Sequence, residues 1–182
     1  INSNFSPLTE KEIEETRARW SNGKPYFFFV GSMHPRKNIM RLIEAFNLFK
    51  KNTGSELKLV LAGSMLWDKT SIEGAYATSN YKEDIVFTGR LSDADLQKAL
   101  GAAYALSFVP IFEGFGLPIV EAFQSGVPVI CSNVTSMPEV AGDAALIVDP
   151  FNVESIANGM EQLCKDNNLR TRLIELGHIQ KK

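Results

Sequence analysis

The stretch Tyr26-Phe-Phe-Phe-Val-Gly-Ser-Met-His-Pro-Arg-Lys-Asn-Ile-Met-Arg-Leu-Ile-Glu-Ala-Phe-Asn-Leu-Phe-Lys-Lys51 decides how the rest of the chain is read. Its first five residues are a continuous aromatic and β-branched run. That pattern suits a strand covered on both faces, as in a parallel sheet. After Asn38 the period changes: Ile39, Leu42, Ile43, Ala45, Phe46 and Phe49 recur at helical spacing, and Asn52-Thr-Gly54 supplies a stop. A buried strand therefore gives way to an amphipathic helix through one short loop.

The alternation continues outward. Upstream, Thr9-Glu-Lys-Glu12 is a capping-box pattern that opens a helix ended by Asn22-Gly23. Downstream, residues 57–62 and 85–88 read as strands, and Ser92-Asp-Ala-Asp95 caps a helix reaching Gly101. Strands at 105–109 and 127–131 flank a helix at 118–125. Ser136-Met-Pro-Glu139 starts a short helix, 145–148 is a strand, and Asn152 opens a final helical region. Residues 66–81 are the one irregular stretch, expected as a surface excursion. Strands separated by helices imply right-handed crossovers, so the expected fold is α/β: a Rossmann-like, doubly wound, largely parallel sheet of six strands. A length of 182 residues fits one such domain, taken as 1–182.

Composition narrows the function classes. With 45% hydrophobic and 22% charged residues the chain has material for a core and no case for disorder. A formal net charge of -2 argues against a general polyanion binder, so nucleic acid is not an expected partner. Cys131 and Cys164 have neither CxxC nor Cys/His spacing, which suggests buried free thiols, not a disulfide or a zinc site. No run approaches the roughly 18 apolar residues of a membrane span, and the first residues lack a signal-peptide layout. A soluble chain in a reducing compartment is expected, and a start at Ile1 suggests a piece of something longer.

In such sheets ligands gather at the carboxyl ends of the strands. The first loop there, Gly31-Ser-Met-His-Pro-Arg-Lys-Asn38, places a glycine and two adjacent cations before a helix. Backbone N–H groups, the helix dipole and Arg36 or Lys37 would suit a phosphate. A solvated basic turn is the competing description. GxGxxG and GxxxxGK[ST] are both absent, so NAD and P-loop readings lose support. The second loop, Phe112-Glu-Gly-Phe-Gly-Leu-Pro-Ile-Val-Glu-Ala-Phe123, leaves a strand and enters a helix with Pro118 near its start. Glu113 on the loop and Glu121 one turn into the helix could accept hydrogen bonds from hydroxyls at two ends of one ligand. Gly114 and Gly116 would let backbone N–H groups around Phe115 to Leu117 approach it. That combination suits a nucleotide sugar. The bland alternative leaves Glu121 beside a helix dipole and Glu113 as a surface charge. His34 is expected as a half-exposed loop histidine, His178 as surface, Trp20 and Trp67 as packing, and Phe115 as a wall of the sugar pocket. Exposed Phe5 and Phe151 would mark a face turned toward a further domain.

Taken together these segments resemble the family 4 (group 1) retaining glycosyltransferases of GT-B architecture. The resemblance rests on Val30-Gly31 with Lys37, Phe87-Thr-Gly89 before Ser92-Asp-Ala-Asp-Leu96, and the E-x7-E segment Glu113 to Glu121. It rests also on Ser125-Gly-Val-Pro-Val129, Pro138-Glu-Val140 and Gly142-Asp-Ala-Ala145. It implies that Glu121 binds the donor's ribose hydroxyls and Glu113 the hydroxyls of its sugar. It further implies that Lys37 binds the phosphates, that Phe115, Gly116 and Leu117 offer backbone groups, and that Gly89-Arg90-Leu91 meets the base. Gly31, Ser32 and Arg36 complete the implied donor site. Many relatives carry arginine where this chain has Ser32, and Arg36 is the candidate substitute.

The implied reaction is metal-independent sugar transfer with retention of configuration, Lys37 and the helix near Leu117 stabilising the departing diphosphate and Glu113 positioning the sugar. No metal or cofactor is implied. The implied partners are a GDP- or UDP-linked sugar, a glycan or lipid-linked acceptor, and an N-terminal acceptor domain of the same polypeptide. The implied location is the cytoplasm, with attachment at the inner membrane face left open. His34-Pro-Arg-Lys-Asn38 resembles the loop of mannosyltransferase-like members. The isolated chain would then bind donor without turnover. A non-catalytic nucleotide-binding α/β module and a GT-B-like epimerase are the alternatives.

Overall fold

The computed structural model describes residues 4–65 and 69–180. The apolar run forms β1 (Tyr26–Val30), with its first four residues fully buried, and the helical period forms α2 (Ile39–Thr53), closed by Gly54 at φ 62°. The other strands are β2 (Lys58–Ala62), β3 (Ile85–Gly89), β4 (Ala105–Phe108), β5 (Val129–Ser132) and β6 (Ala145–Val148). All pair in parallel, in the order β3-β2-β1-β4-β5-β6. The chain therefore builds outward from β1 to one edge, returns to the middle, and builds outward again from β4. The junction of β1 with β4 is the topological switch point, where loops leaving the two strands diverge and open a crevice.

The helices are α1 (Glu10–Ser21), α3 (Lys69–Ala77), α4 (Asp93–Gly101), α5 (Leu117–Gln124), α6 (Met137–Ala141), α7 (Val153–Lys165) and α8 (Asn167–Gln180), besides α2. The capping box at α1 is formed: the Glu12 N–H donates to Thr9 Oγ1 at 3.3 Å and the Thr9 N–H to Glu12 Oε2 at 2.9 Å. At α4 the Asp95 N–H donates to Ser92 Oγ at 3.2 Å. These bonds satisfy donors that a helix start leaves without internal partners. Around β1, Phe27 meets Phe49 of α2 and Tyr104 edge to face, with centroids 5.3 and 6.0 Å apart. A ring buried this way contributes roughly 3–5 kcal/mol relative to alanine.

Three expectations need correction. Part of the stretch read as irregular is helical, since α3 occupies Lys69–Ala77. Its Gly74 and short apolar stripe, Ile72 and Ala75, gave too little periodicity to see. Phe5 is buried, 7% exposed, because the segment before α1 lies across the ends of α4 and α5: Leu8 and Pro7 sit against Gly101 and Gly126. Ser136 stands at the start of α6, as expected, and its hydroxyl is used elsewhere, as described below. His178 is half-buried, not a surface residue. Trp67 lies outside the described residues.

Cys131 is buried, with its thiol pushed up to about 12 by desolvation; Cys164 is half-buried, its thiol pushed up to about 11 for the same reason. Neither is a thiolate at neutral pH. No helix among the described residues is long and apolar enough to cross a membrane.

Candidate active site

The loops leaving β1, β2 and β3 are laced together by backbone. The Gly31 N–H donates to the Ala62 carbonyl at 3.0 Å, the Met33 N–H to Ser64 at 3.0 Å, and the Gly63 N–H to Gly89 at 2.9 Å. Gly63, at φ 140°, passes so near Gly31 that a Cβ there would stand 1.8 Å from the Gly31 carbonyl oxygen. Only glycine permits that approach. The closely drawn loops surround a cleft of about 430 Å³ lined by Gly31, Ser32, Gly63, Ser64, Arg90 and Leu91. Its volume lies in the range of small-ligand sites, and its lining mixes apolar surface and backbone groups with the guanidinium of Arg90 and the carboxylate of Asp93. Four of the residues singled out from sequence, Gly31, Ser32, Arg90 and Leu91, thus meet in one place. Gly63 and Ser64 were not among them.

A second cluster sits at the switch point itself. Pro35–Lys37 make a single 3-10 turn begun by His34, whose Nδ1 accepts from the Arg36 N–H at 3.3 Å. That turn leaves one of the two neighbouring cations buried and the other exposed. Lys37 is buried, its ammonium 5.1 Å from the centre of the Phe108 ring and ion-paired with Glu113 Oε2. Arg36 is exposed, and its carbonyl accepts from the Ile111 N–H at 2.8 Å. The pair joins the loop after β1 to the loop after β4, with side chains only 10% and 17% exposed for Lys37 and Glu113. Partial burial matters because it removes the solvent screening that makes exposed ion pairs weak. The Lys37 stem also borders Gly31, its Cε 3.7 Å from where a Cβ on that glycine would stand, so the ammonium lies beside the cleft.

Asn38 fixes this geometry. It adopts φ 65°, is 4% exposed, and donates through Nδ2 to the carbonyls of Val109 at 3.0 Å and Pro150 at 2.7 Å. Its Oδ1 accepts from Arg41 Nη1 at 3.1 Å. One amide therefore ties together the loops after β1, β4 and β6. The Glu113 loop is held from its other side: the Glu113 N–H donates to Thr135 Oγ1 at 3.3 Å, and Ser136 Oγ donates to the Glu113 carbonyl at 3.0 Å. Thr135 stands at φ 55°, a conformation a β-branched residue rarely adopts.

At the start of α5, Gly116 has φ 86°, a left-handed conformation that favours glycine, and a Cβ there would push against the end of the Met137 side chain, its Cε 2.6 Å away. Gly114 is unlike it, since a Cβ there would meet nothing within 4 Å. Phe115 and Leu117, 52% and 51% exposed, flank this turn, with Phe112 and Phe151 also exposed. Glu121 is half-buried on the helix stripe of Leu117 and Pro118. Burial raises its carboxyl above the ordinary range, and among the described residues its carboxylate is in hydrogen-bond contact with no partner. It touches neither Lys37 nor Glu113. A desolvated carboxylate without a structural partner is the kind of group that accepts from a ligand. Asp93-Ala-Asp95 has the spacing of a metal-binding Asp-x-Asp. Asp95, however, is held by Arg19 at 2.6 and 3.3 Å.

A 3-2-1-4-5-6 parallel sheet flanked by helices defines a Rossmann-like α/β domain, with its switch point between β1 and β4. The chain belongs to the group 1 glycosyltransferase family: the family model "Glycosyl transferases group 1" matches residues 10–179. It is 38% identical to O-antigen chain mannosyltransferase B of Escherichia coli, over 99% of this chain and 48% of that protein. It is 30% identical to the O-antigen chain mannosyltransferase RfbU of Salmonella typhimurium, over 76% of this chain and 38% of that one. This chain thus spans about half or less of the length of these curated relatives. Among solved structures it superposes on HepE of Anabaena, crystallised with UDP and glucose, with TM-score 0.88 at 16% identity, covering 100% of this chain and 50% of that one. On the C-terminal domain of the group 1 glycosyl transferase LpcC of Francisella tularensis the TM-score is 0.84 at 22% identity, covering 99% and 95% of the two chains. The fold is that of the C-terminal domain of GT-B glycosyltransferases.

Proposed function

We propose that this chain is the donor-binding half of a retaining glycosyltransferase that moves a sugar, mannose in the first instance, from a GDP- or UDP-linked donor to a hydroxyl of a growing glycan or lipid-linked acceptor. The observation that carries this reading is Lys37, a buried ammonium held at the switch point beside the cleft. In this arrangement the base lies against Gly89, Arg90 and Leu91, with Gly31 and Ser32 as the opposite wall. The diphosphate reaches Lys37 and the backbone at Phe115, Gly116 and Leu117. Glu113 takes the sugar hydroxyls and Glu121 the ribose. The exposed Arg36 is the remaining candidate for the arginine that relatives carry at the position of Ser32.

When the bond from the anomeric carbon to the diphosphate breaks, negative charge grows on the departing oxygen. A fixed ammonium and the positive end of α5 stabilise that charge more than they stabilise the bound donor, which is the source of rate acceleration. No metal ion or cofactor is needed for this role. The acceptor would sit on an N-terminal domain of the same polypeptide, and the place of work would be the cytoplasm, at the inner membrane face where a lipid-linked acceptor lies. The names of the Escherichia coli and Salmonella relatives support mannosyl transfer to O-antigen chains.

The test is transfer by the polypeptide that carries this domain with an acceptor domain. A glycoside formed with the donor's anomeric configuration, read by NMR, is expected, together with no transfer by the 182-residue chain alone. An inverted product, or turnover by the chain alone, contradicts the proposal.

A further inference from the structure

We propose that Glu113 is a built-in competitor for the phosphates at Lys37, so that the site favours an intact nucleotide sugar over the bare nucleoside diphosphate. This inference rests on the donor-site reading above and adds a selectivity to it. The Lys37 ammonium is enclosed: the Phe108 ring lies 5.1 Å from it, Gly31 borders its stem, and Glu113 Oε2 accepts one of its N–H groups. Any phosphate that reaches this ammonium arrives beside a carboxylate that already holds it. Like charges brought together at a partly buried cation repel with little screening, so Glu113 has to release Lys37 for the phosphates to bind well.

The two ligands differ in what they offer the released carboxylate. An intact donor carries hydroxyls that donate to it, so the Lys37 partner is exchanged for another. A bare diphosphate carries none, and the displaced carboxylate is left beside the phosphate oxygens without a donor. The backbone on both sides of Glu113 is pinned by Thr135 and Ser136, which confines the exchange to rotation of the side chain. After transfer the sugar is gone, and return of Glu113 to Lys37 helps expel the product. Glu113 is thus both the sugar's acceptor and the discriminator against product.

The test is calorimetric titration with GDP, UDP, their mannose and glucose conjugates, and the phosphate-free nucleosides. The proteins compared are the wild type, Glu113→Gln, Glu113→Ala, Lys37→Ala and the double variant Lys37→Ala/Glu113→Gln. Both Glu113 variants are expected to bind the preferred nucleoside diphosphate about tenfold more tightly than wild type, and to lose the preference for the sugar conjugate. The gain should vanish in the Lys37→Ala background and be absent for the nucleosides, which isolates the coupling to Lys37. Unchanged or weaker diphosphate binding in both Glu113 variants, with wild type still binding, overturns the inference and leaves the donor-site reading standing. Absence of any nucleotide binding by wild type and variants alike overturns both.

Discussion

Gly63 and Gly114 show how little a glycine's identity says by itself. Both follow a strand and both border the proposed site, yet a Cβ on Gly63 would stand 1.8 Å from the Gly31 carbonyl while one on Gly114 would meet open space. Gly63→Ala is expected to cost on the order of 4 kcal/mol or more, because backbone cannot yield as a side chain would, whereas Gly114→Ala should stay within about 1 kcal/mol. Thermal melts of the two variants check this. Glu121 makes a pH-dependent prediction. Its folded carboxyl is raised from the ordinary value of 4.5 by burial, so the folded state binds that proton more tightly than the unfolded chain does. The ionised form therefore lowers stability above the raised value, and the cost disappears as pH falls below the unfolded one. Glu121→Gln should be more stable than wild type at pH 7, with the difference gone below about pH 4. Denaturant titrations across that range measure it. A difference that does not change with pH would contradict this, because it would mean that the carboxyl titrates alike in the folded and unfolded chain.

Among the elements, the loops at the carboxyl end of the sheet carry more of the architecture than their sequences suggest. Asn38 bonds the ends of β4 and β6 through one buried amide. Asn38→Ala leaves those carbonyls without their donor and puts at φ 65° a residue that tolerates the left-handed region less well than asparagine, for a combined cost of about 3 kcal/mol. Asn38→Gly loses the same bonds but tolerates the backbone, so it should be less destabilised than alanine by about 1 kcal/mol. Urea unfolding of both variants tests the pair. Strands and helices with strong periodicity, β1 and α2 above all, could be read in advance because local pattern and global burial agree. α3 could not, with Gly74 in its middle and a stripe of only Ile72 and Ala75. Ser136 starts α6 as its sequence suggests, but that its hydroxyl serves the Glu113 carbonyl is a contact made across the fold. The same distinction governs the site. Lys37, Glu113 and Glu121 stand out by residue type and spacing, while Gly63, Asn38 and Thr135 matter through neighbours far along the chain.

At the scale of the molecule, one sheet order explains why residues distant in sequence converge. Placing β1 beside β4 brings Lys37 to Glu113, and placing β2 and β3 beyond β1 builds the cleft that ends at Arg90 and Leu91. Membership of the group 1 glycosyltransferases follows from the family match over residues 10–179, and the GT-B fold from the superpositions. What that architecture does in this chain turns on whether the cleft and the Lys37 cluster hold one ligand. The most direct test is the affinity of the chain for mannose and glucose conjugates of GDP and UDP, measured by calorimetry on wild type, Lys37→Ala and Glu121→Ala. One conjugate should bind at a single site, and each substitution should weaken it by at least about tenfold, since each removes a charged hydrogen-bond partner. Undiminished binding in both variants, or no binding of any conjugate by wild type, would contradict the account.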